Sequence, residues 1–270
     1  MTTLAGTTWG QQKTEEEFLK RGIEYFYRRD YDRSIAEFNE AIRLDPANAT
    51  AYAYRSRSYS NGKGDYDQGF ADSEQAIRLD PNNAMGYFAR GRVYQGENDY
   101  DRAIADYTRS IRHDPNYPMT FNNRGNAYSS KGDYDRAIAD YTHAIRLNPD
   151  YANAYYNRGN THNDKGDYDR AIADYNQVIR IDSNFVWAYI SRGGSYLFKE
   201  DFDRAVADFD HAIRLSPNET AAYNYRGYLY FLLNDYDRAA ADFQTVLKID
   251  PNDEFAKQNL DQVLREQGRL

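Results

Sequence analysis

The chain has 270 residues and a net charge of −8, a balance that argues against general binding to nucleic acid or anionic membrane, since neutralising phosphates needs a basic surface. It contains no cysteine, which excludes disulfides and thiolate metal sites. Its 27 tyrosines carry a polar tip on an apolar body, so aromatic packing with half-buried hydroxyls has to supply much of the core.

Residues 1–14, MTTLAGTTWGQQKT, have neither a basic start nor an apolar run of secretory length. They read as a flexible tail in which Trp9 is the one side chain able to dock against the first repeat. No stretch approaches the roughly 20 apolar residues needed to span a bilayer, and a cytoplasmic protein is the expectation.

From Glu15 to Asp253 one paragraph of about 34 residues recurs seven times, with boundaries at 15–48, 49–83, 84–117, 118–151, 152–185, 186–219 and 220–253. Glycine marks the first half of each at Gly22, Gly91, Gly125, Gly159, Gly193 and Gly227, with Ser56 in the second. The single extra residue of the second repeat falls at Gly62-Lys63-Gly64. Pro46, Pro81, Pro115, Pro149, Pro217 and Pro251 close six of the repeats, and Ser183 stands at that place in the fifth. A fixed period of this length means stacked units rather than one closed core. Residues 254–270 then form a helix whose Phe255, Leu260, Val263 and Leu264 suit a cap on the open end.

The fourth repeat shows the local logic. Phe121, Gly125 and Tyr128 share one face of a first helix, and Ala137, Tyr141 and Ala144 share one face of a second. Between them Gly132 suits a left-handed cap and Asp133 the start of the next helix. Pro149 ends the second helix, and Asp150 or a neighbour is expected to cap the helix after it. Gly125 and Ala137 are small where the helices must approach, leaving room for a facing ring.

The charges recur too. Each repeat has an arginine before its glycine position, Arg21, Arg55, Arg90, Arg124, Arg158, Arg192 and Arg226. Each also has an acid sixteen or seventeen residues later: Glu37, Asp72, Asp106, Asp140, Asp174, Asp208 and Asp242. One-for-one recurrence favours structural pairing between the two helices over an anion-binding ladder. On the second helices, Arg33–Glu37, Arg102–Asp106, Arg204–Asp208 and their equivalents are spaced for i, i+4 pairs on solvated faces.

An aromatic (Phe18, Tyr52, Tyr87, Phe121, Tyr155, Tyr189, Tyr223), the glycine, a tyrosine three residues on, an Ala-x3-aromatic step such as Ala103–Tyr107, and a closing proline together resemble the tetratricopeptide repeat family. The arginine before each glycine departs from that pattern, which has leucine there, and His162 replaces the tyrosine in the fifth repeat. The resemblance implies an all-α, right-handed α-solenoid of seven helical hairpins with a C-terminal capping helix.

It also implies that the first helices line a concave groove. On that reading the second and third repeats contribute Arg57 and Arg92. The fourth and fifth contribute an amide set, Asn122, Asn123, Asn126, Asn153, Asn157, Asn160 and Asn163. The sixth contributes Trp187, Ile190, Gly194 and Leu197, the seventh Asn224, Tyr228 and Phe231, with Phe198 and Leu232 one position beyond. An asparagine amide matches both polar groups of a peptide unit, and family members with asparagine ladders hold extended peptides this way. A hydrophobic anchor is expected between Trp187 and Tyr228. The lysines of the chaperone-binding members are absent, so docking to a chaperone C-terminus is not implied.

No catalytic constellation, phosphate loop or cofactor motif is present in the sequence. His113, His143, His162 and His211 fall in different repeats, and the carboxylates are periodic, as caps and surface charge would be. The expectation is a non-catalytic scaffold or adaptor that binds a protein or peptide in the groove, without nucleic acid, membrane or cofactor. The alternative is self-association into a homo-oligomer through the apolar C-terminal end.

Overall fold

A computed structural model of the protein describes residues 13–268; the expected contact of Trp9 lies outside them. The described residues are helices and turns, in two compact units that divide between Asp133 and Tyr134. The first unit holds α1 (Glu15–Tyr27), α2 (Tyr31–Leu44), α3 (Ala49–Ser58), a π-helical turn (Tyr59–Lys63), α4 (Tyr66–Leu79), α5 (Ala84–Gly96), α6 (Tyr100–His113) and α7 (Pro118–Ser130). The second holds α8 (Tyr134–Leu147), α9 (Ala152–Asp164), α10 (Tyr168–Ile181), α11 (Val186–Phe198), α12 (Phe202–Leu215), α13 (Thr220–Leu232), α14 (Tyr236–Ile249) and α15 (Glu254–Glu266). Within each unit consecutive helices pack as hairpins, and each first helix also touches the next first helix. The fold class is all-α, of the α-solenoid type. No helix is long and apolar enough to cross a membrane.

The hairpin turns are set by two residues. A left-handed residue ends the first helix, as at Gly132 (φ 77°) and Gly166 (φ 76°). Arg29, Asn98, Glu200 and Asn234 hold the same positive φ without being glycine. An aspartate follows, and its carboxylate accepts the backbone N–H three residues on, as Asp99 does from Arg102 at 3.0 Å. The extra residue of the second repeat is absorbed as the π-helical turn, which Gly64 (φ 61°) closes.

Capping after the closing proline differs from expectation. Asn48, Asn83 and Asp253 cap with their side chains, but Tyr117, Tyr151, Phe185 and Glu219 occupy that position without a side-chain capping bond. Rings there pack instead: Phe185 lies 5.1 Å from Tyr156 and Tyr117 lies 5.5 Å from Phe88. Asp150 does not cap; its own N–H is held by Asn148 Oδ1 at 3.1 Å.

The core repeats one contact. A Cβ placed on Gly22 would stand 2.5 Å from the Phe38 ring, and one on Gly193 2.7 Å from Phe209. Glycine is therefore required by the facing aromatic rather than by backbone conformation, and larger residues would overpack the contact by about 1–3 kcal/mol. The second repeat inverts the arrangement. There the ring is replaced by Ser73, and Ser56 in the glycine position donates to the Gly69 carbonyl at 2.6 Å.

The arginine ladder is structural. Arg55 donates to Asp72 through Nε at 2.7 Å and Nη2 at 2.6 Å. The same two-pronged bond joins Arg90 to Asp106, Arg158 to Asp174, Arg192 to Asp208 and Arg226 to Asp242. The remaining nitrogen reaches back to the preceding second helix, as Arg90 Nη1 does to Glu74 at 2.9 Å. Each acid is thereby occupied, and this corrects the expected i, i+4 pairs. Arg33, Arg102, Arg204 and Arg238 turn back to the helix-starting Asp30, Asp99, Asp201 and Asp235. Their guanidinium groups lie over Tyr25, Tyr94, Tyr196 and Tyr230.

Candidate functional site

In the first unit the expected groove residues are mostly internal. Arg57 is 2% exposed. Its guanidinium lies 4.3 Å from the Phe26 ring centre and 5.0 Å from those of Tyr54 and Phe88, with Nη1 3.3 Å from Met85 Sδ. It is a packed cation held by ring faces, not the groove-facing arginine expected from its place in the repeat. Arg92 is tied to Asn61. Asn122 and Asn123 are buried, and Asn123 Nδ2 has no hydrogen-bond partner. Asn126 is half-buried.

The second unit contains a cleft of about 290 Å³ formed by α9, α10, α11 and α13. Gly194 is its floor: a Cβ there would meet nothing within 4 Å. The helix puts Gly193 against Phe209 and turns the adjacent Gly194 outward. Asn160, Asn163, Ile190, Ser191, Phe198 and Tyr225 line the cleft with Gly194.

The amides are oriented by their neighbours. Burial pushes the Tyr175 hydroxyl well above its ordinary range, so it stays protonated and donates to Asn160 Oδ1 at 2.7 Å. Ser195 Oγ donates to Asn163 Oδ1 at 2.9 Å, the shorter of its two contacts. With both oxygens occupied, each Nδ2 is left as a donor, and neither has a protein acceptor among the described residues.

Of the residues singled out in the sequence, Asn160, Asn163, Ile190, Gly194 and Phe198 therefore meet in one cleft. Asn153 is exposed and Asn157 half-buried, both on α9 outside its lining. Trp187 and Tyr228 do not frame it. Trp187 is 46% exposed, while Tyr228 leans on Phe255 of α15 at 6.4 Å. Phe231 packs on Tyr236, and Leu197 packs into the core beside Tyr196 and Phe209. The cleft's exposed aromatic side chains are Phe198, which the sequence placed just beyond the groove set, and Tyr225, which sequence reasoning passed over. Tyr225 occupies the sixth position of its helix, already a groove position in the other repeats, so the signal was present. Ser191, at the sixth position of α11, was missed in the same way; Asp164 and Tyr175 were also missed, and neither belongs to the groove set.

A larger cleft of about 460 Å³ lies at the turns of the first unit among Arg28, Asp30, Asp32 and Lys63. Its lysine is paired with Asp32 at 2.8 Å, and it has no fixed buried donor. No group of three His, Asp or Glu side chains placed to hold a metal occurs among the described residues.

Comparison with known proteins agrees with this architecture. The family model described as TPR repeat matches residues 125–166, and models described as tetratricopeptide repeat match 19–84 and 191–254, 84–117, 106–139 and 152–185. No curated protein matches the chain. Among solved structures, MamA is 29% identical with a TM-score of 0.55, over 59% of this chain and 94% of its own. YrrB, described as a TPR protein with an unusual peptide-binding site, is 23% identical with a TM-score of 0.56, over 68% of this chain and 95% of its own. The pilF protein of Pseudomonas aeruginosa is 18% identical with a TM-score of 0.70, over 81% of this chain and 98% of its own. At their identities the last two show the fold alone. With family models running through residues 19–185 and 191–254, and with the glycine, ring and turn signals recurring along the hairpins, the second repeat excepted for glycine and ring, the chain belongs to the tetratricopeptide repeat family.

Proposed function

We propose that the protein is a non-catalytic, cytoplasmic adaptor that binds an extended segment of a partner protein in the cleft of its second unit. We take it as seven repeats over residues 15–253, closed by 254–270. The observation that carries the reading is the pair of unpaired amide donors, Asn160 and Asn163 Nδ2, beside the open floor at Gly194. Main-chain carbonyls of an extended segment are the acceptors that such donors fit, each bond contributing about 0.5–1.5 kcal/mol. A side chain of that segment then lies over Gly194 between Phe198 and Tyr225. Repeats of this fold commonly mediate protein–protein contact, and YrrB is described as having a peptide-binding site. The test is Gly194→Phe, which fills the cleft from an open position. It is expected to abolish binding of capped peptides selected on the wild-type protein while leaving the melting temperature near wild type. Undiminished binding would refute the reading.

A second reading, self-association, is favoured by the exposure of Trp187, Phe198, Tyr225 and Tyr228, although Tyr228 also touches Phe255 of α15. Light scattering of Trp187→Ala/Tyr228→Ala against wild type separates the two, because only self-association predicts a fall in mass.

A further inference from the structure

The cleft contains one acidic side chain, Asp164, at the end of α9, and no basic group lines it. Many carboxylates of this chain are engaged by cations. Lys199 holds Asp169 and Lys165 holds Asp135, while arginines hold Asp174, Asp208 and Asp242. Exposed ones such as Asp67, Glu97 and Asp203 have no ion pair among the described residues; Asp164 differs from these in lining the cleft. Asp164 is exposed and has neither an ion pair nor a hydrogen bond among the described residues. Its neighbour Lys165 points away, to Asp135.

The aromatic side has a matching character. Phe198 stacks one face on Tyr168 at 5.2 Å, and Tyr225 stacks one face on Phe209 at 5.7 Å. Each keeps its other face open, with 63% and 46% exposure. A ring face attracts a cation, more so where water is partly excluded. This protein uses that contact internally, with Arg238 4.3 Å from the Tyr230 ring centre. A volume of about 290 Å³ is at the small end of the roughly 300–1,000 Å³ usual for ligand clefts. It suits one long side chain and a short run of backbone.

We infer that the segment bound here carries a basic side chain, arginine or lysine, seated between Phe198 and Tyr225 over Gly194 with Asp164 as its counter-charge. This deepens the peptide-binding reading and rests on it. The donors of Asn160 and Asn163 hold the backbone without regard to sequence, and Asp164 with the two rings selects the side chain. The net charge of −8 steers a basic segment toward the protein and repels an acidic one.

The experiment uses the full chain and three capped, fluorescein-labelled nonapeptide libraries with randomised flanks. Their central residue is fixed as arginine or lysine, as glutamate, or as leucine, and affinity is read by fluorescence polarisation. The basic library is expected to bind about three- to tenfold more tightly than the leucine library at low salt, the range of a partly exposed ion pair. That advantage is expected to shrink as salt is raised and to disappear in Asp164→Asn, and Asp164→Lys is expected to shift preference to the glutamate library. Asp164 is exposed, so both variants keep the fold, which circular dichroism verifies. Equal affinity for the leucine and basic libraries, or a basic advantage that survives Asp164→Asn, overturns the inference while peptide binding stands. Binding of none of the three libraries removes the peptide-binding reading and this inference together.

Discussion

Arg90 donates to Asp106 through Nε at 2.7 Å and Nη2 at 3.0 Å, joining the two helices of the third repeat at a carboxylate only 2% exposed. The bond to Asp106 holds the guanidinium above its ordinary range against the opposing effect of burial. Because Nη1 also reaches Glu74 of the preceding repeat, one side chain ties a hairpin internally and to its neighbour. Arg90→Met leaves the buried Asp106 carboxylate with only the half-exposed Arg109 at 2.9 Å and is expected to destabilise the protein by about 1–3 kcal/mol. The double change Arg90→Met/Asp106→Leu is expected to recover most of that loss. Urea unfolding followed by circular dichroism measures both.

Two adjacent glycines are expected to respond in opposite directions. Gly193→Ala drives a methyl into the Phe209 ring and costs about 1–3 kcal/mol by overpacking. Gly194→Ala meets open space within a helix and stabilises by about 0.8–1 kcal/mol through helix propensity. The midpoints of the two variants, taken under one set of conditions, settle the point.

His162 stands where the other repeats have tyrosine, and burial pushes its imidazole below the usual histidine range. When protonated it would face Arg158 and Arg170, with Asp174 and Asp167 in partial compensation. The unfolded chain takes up this proton near pH 6.5 and the folded chain does not. This contribution to stability is therefore complete above about pH 6.5 and declines as the pH falls below it. His162→Tyr is expected to remove that slope. Melting temperatures recorded from about pH 7.5 down to about pH 5.5, roughly one unit either side of the unperturbed histidine value, check it.

Glu200 holds a left-handed backbone at φ 59° where Gly132 and Gly166 serve in other repeats. Glu200→Gly relieves the contact of its Cβ with the backbone and is expected to stabilise by roughly 1 kcal/mol. Asn234→Gly gains less, because asparagine tolerates this conformation. Parallel thermal melts test the order.

The fold was legible because seven copies expose which positions packing constrains. A glycine facing a ring, an arginine facing an acid and a turn aspartate each recur at fixed spacing. Competition between partners was not legible. Arg102 and Arg204 abandon Asp106 and Asp208 because those acids are taken by first-helix arginines, and this depends on reach across a hairpin. Nor did the sequence reveal that Tyr117 and Phe185 would exchange a cap for ring packing, or that three rings would enclose Arg57. Within the candidate site, periodicity pointed to Asn160, Asn163, Ile190, Gly194 and Phe198. Asp164 was hidden because it lies one position beyond the groove set, and only the structure shows that it lines the cleft.

The central claim is that Asn160 donates to a bound segment above Gly194. Its most direct test is the side-chain amide resonance of Asn160, assigned by nuclear magnetic resonance, during titration with a selected capped peptide. The account predicts a saturable shift of that resonance, with neighbouring shifts at Gly194 and Tyr225, all absent in Gly194→Phe. A peptide that saturates the protein while leaving the Asn160 amide unmoved would contradict it.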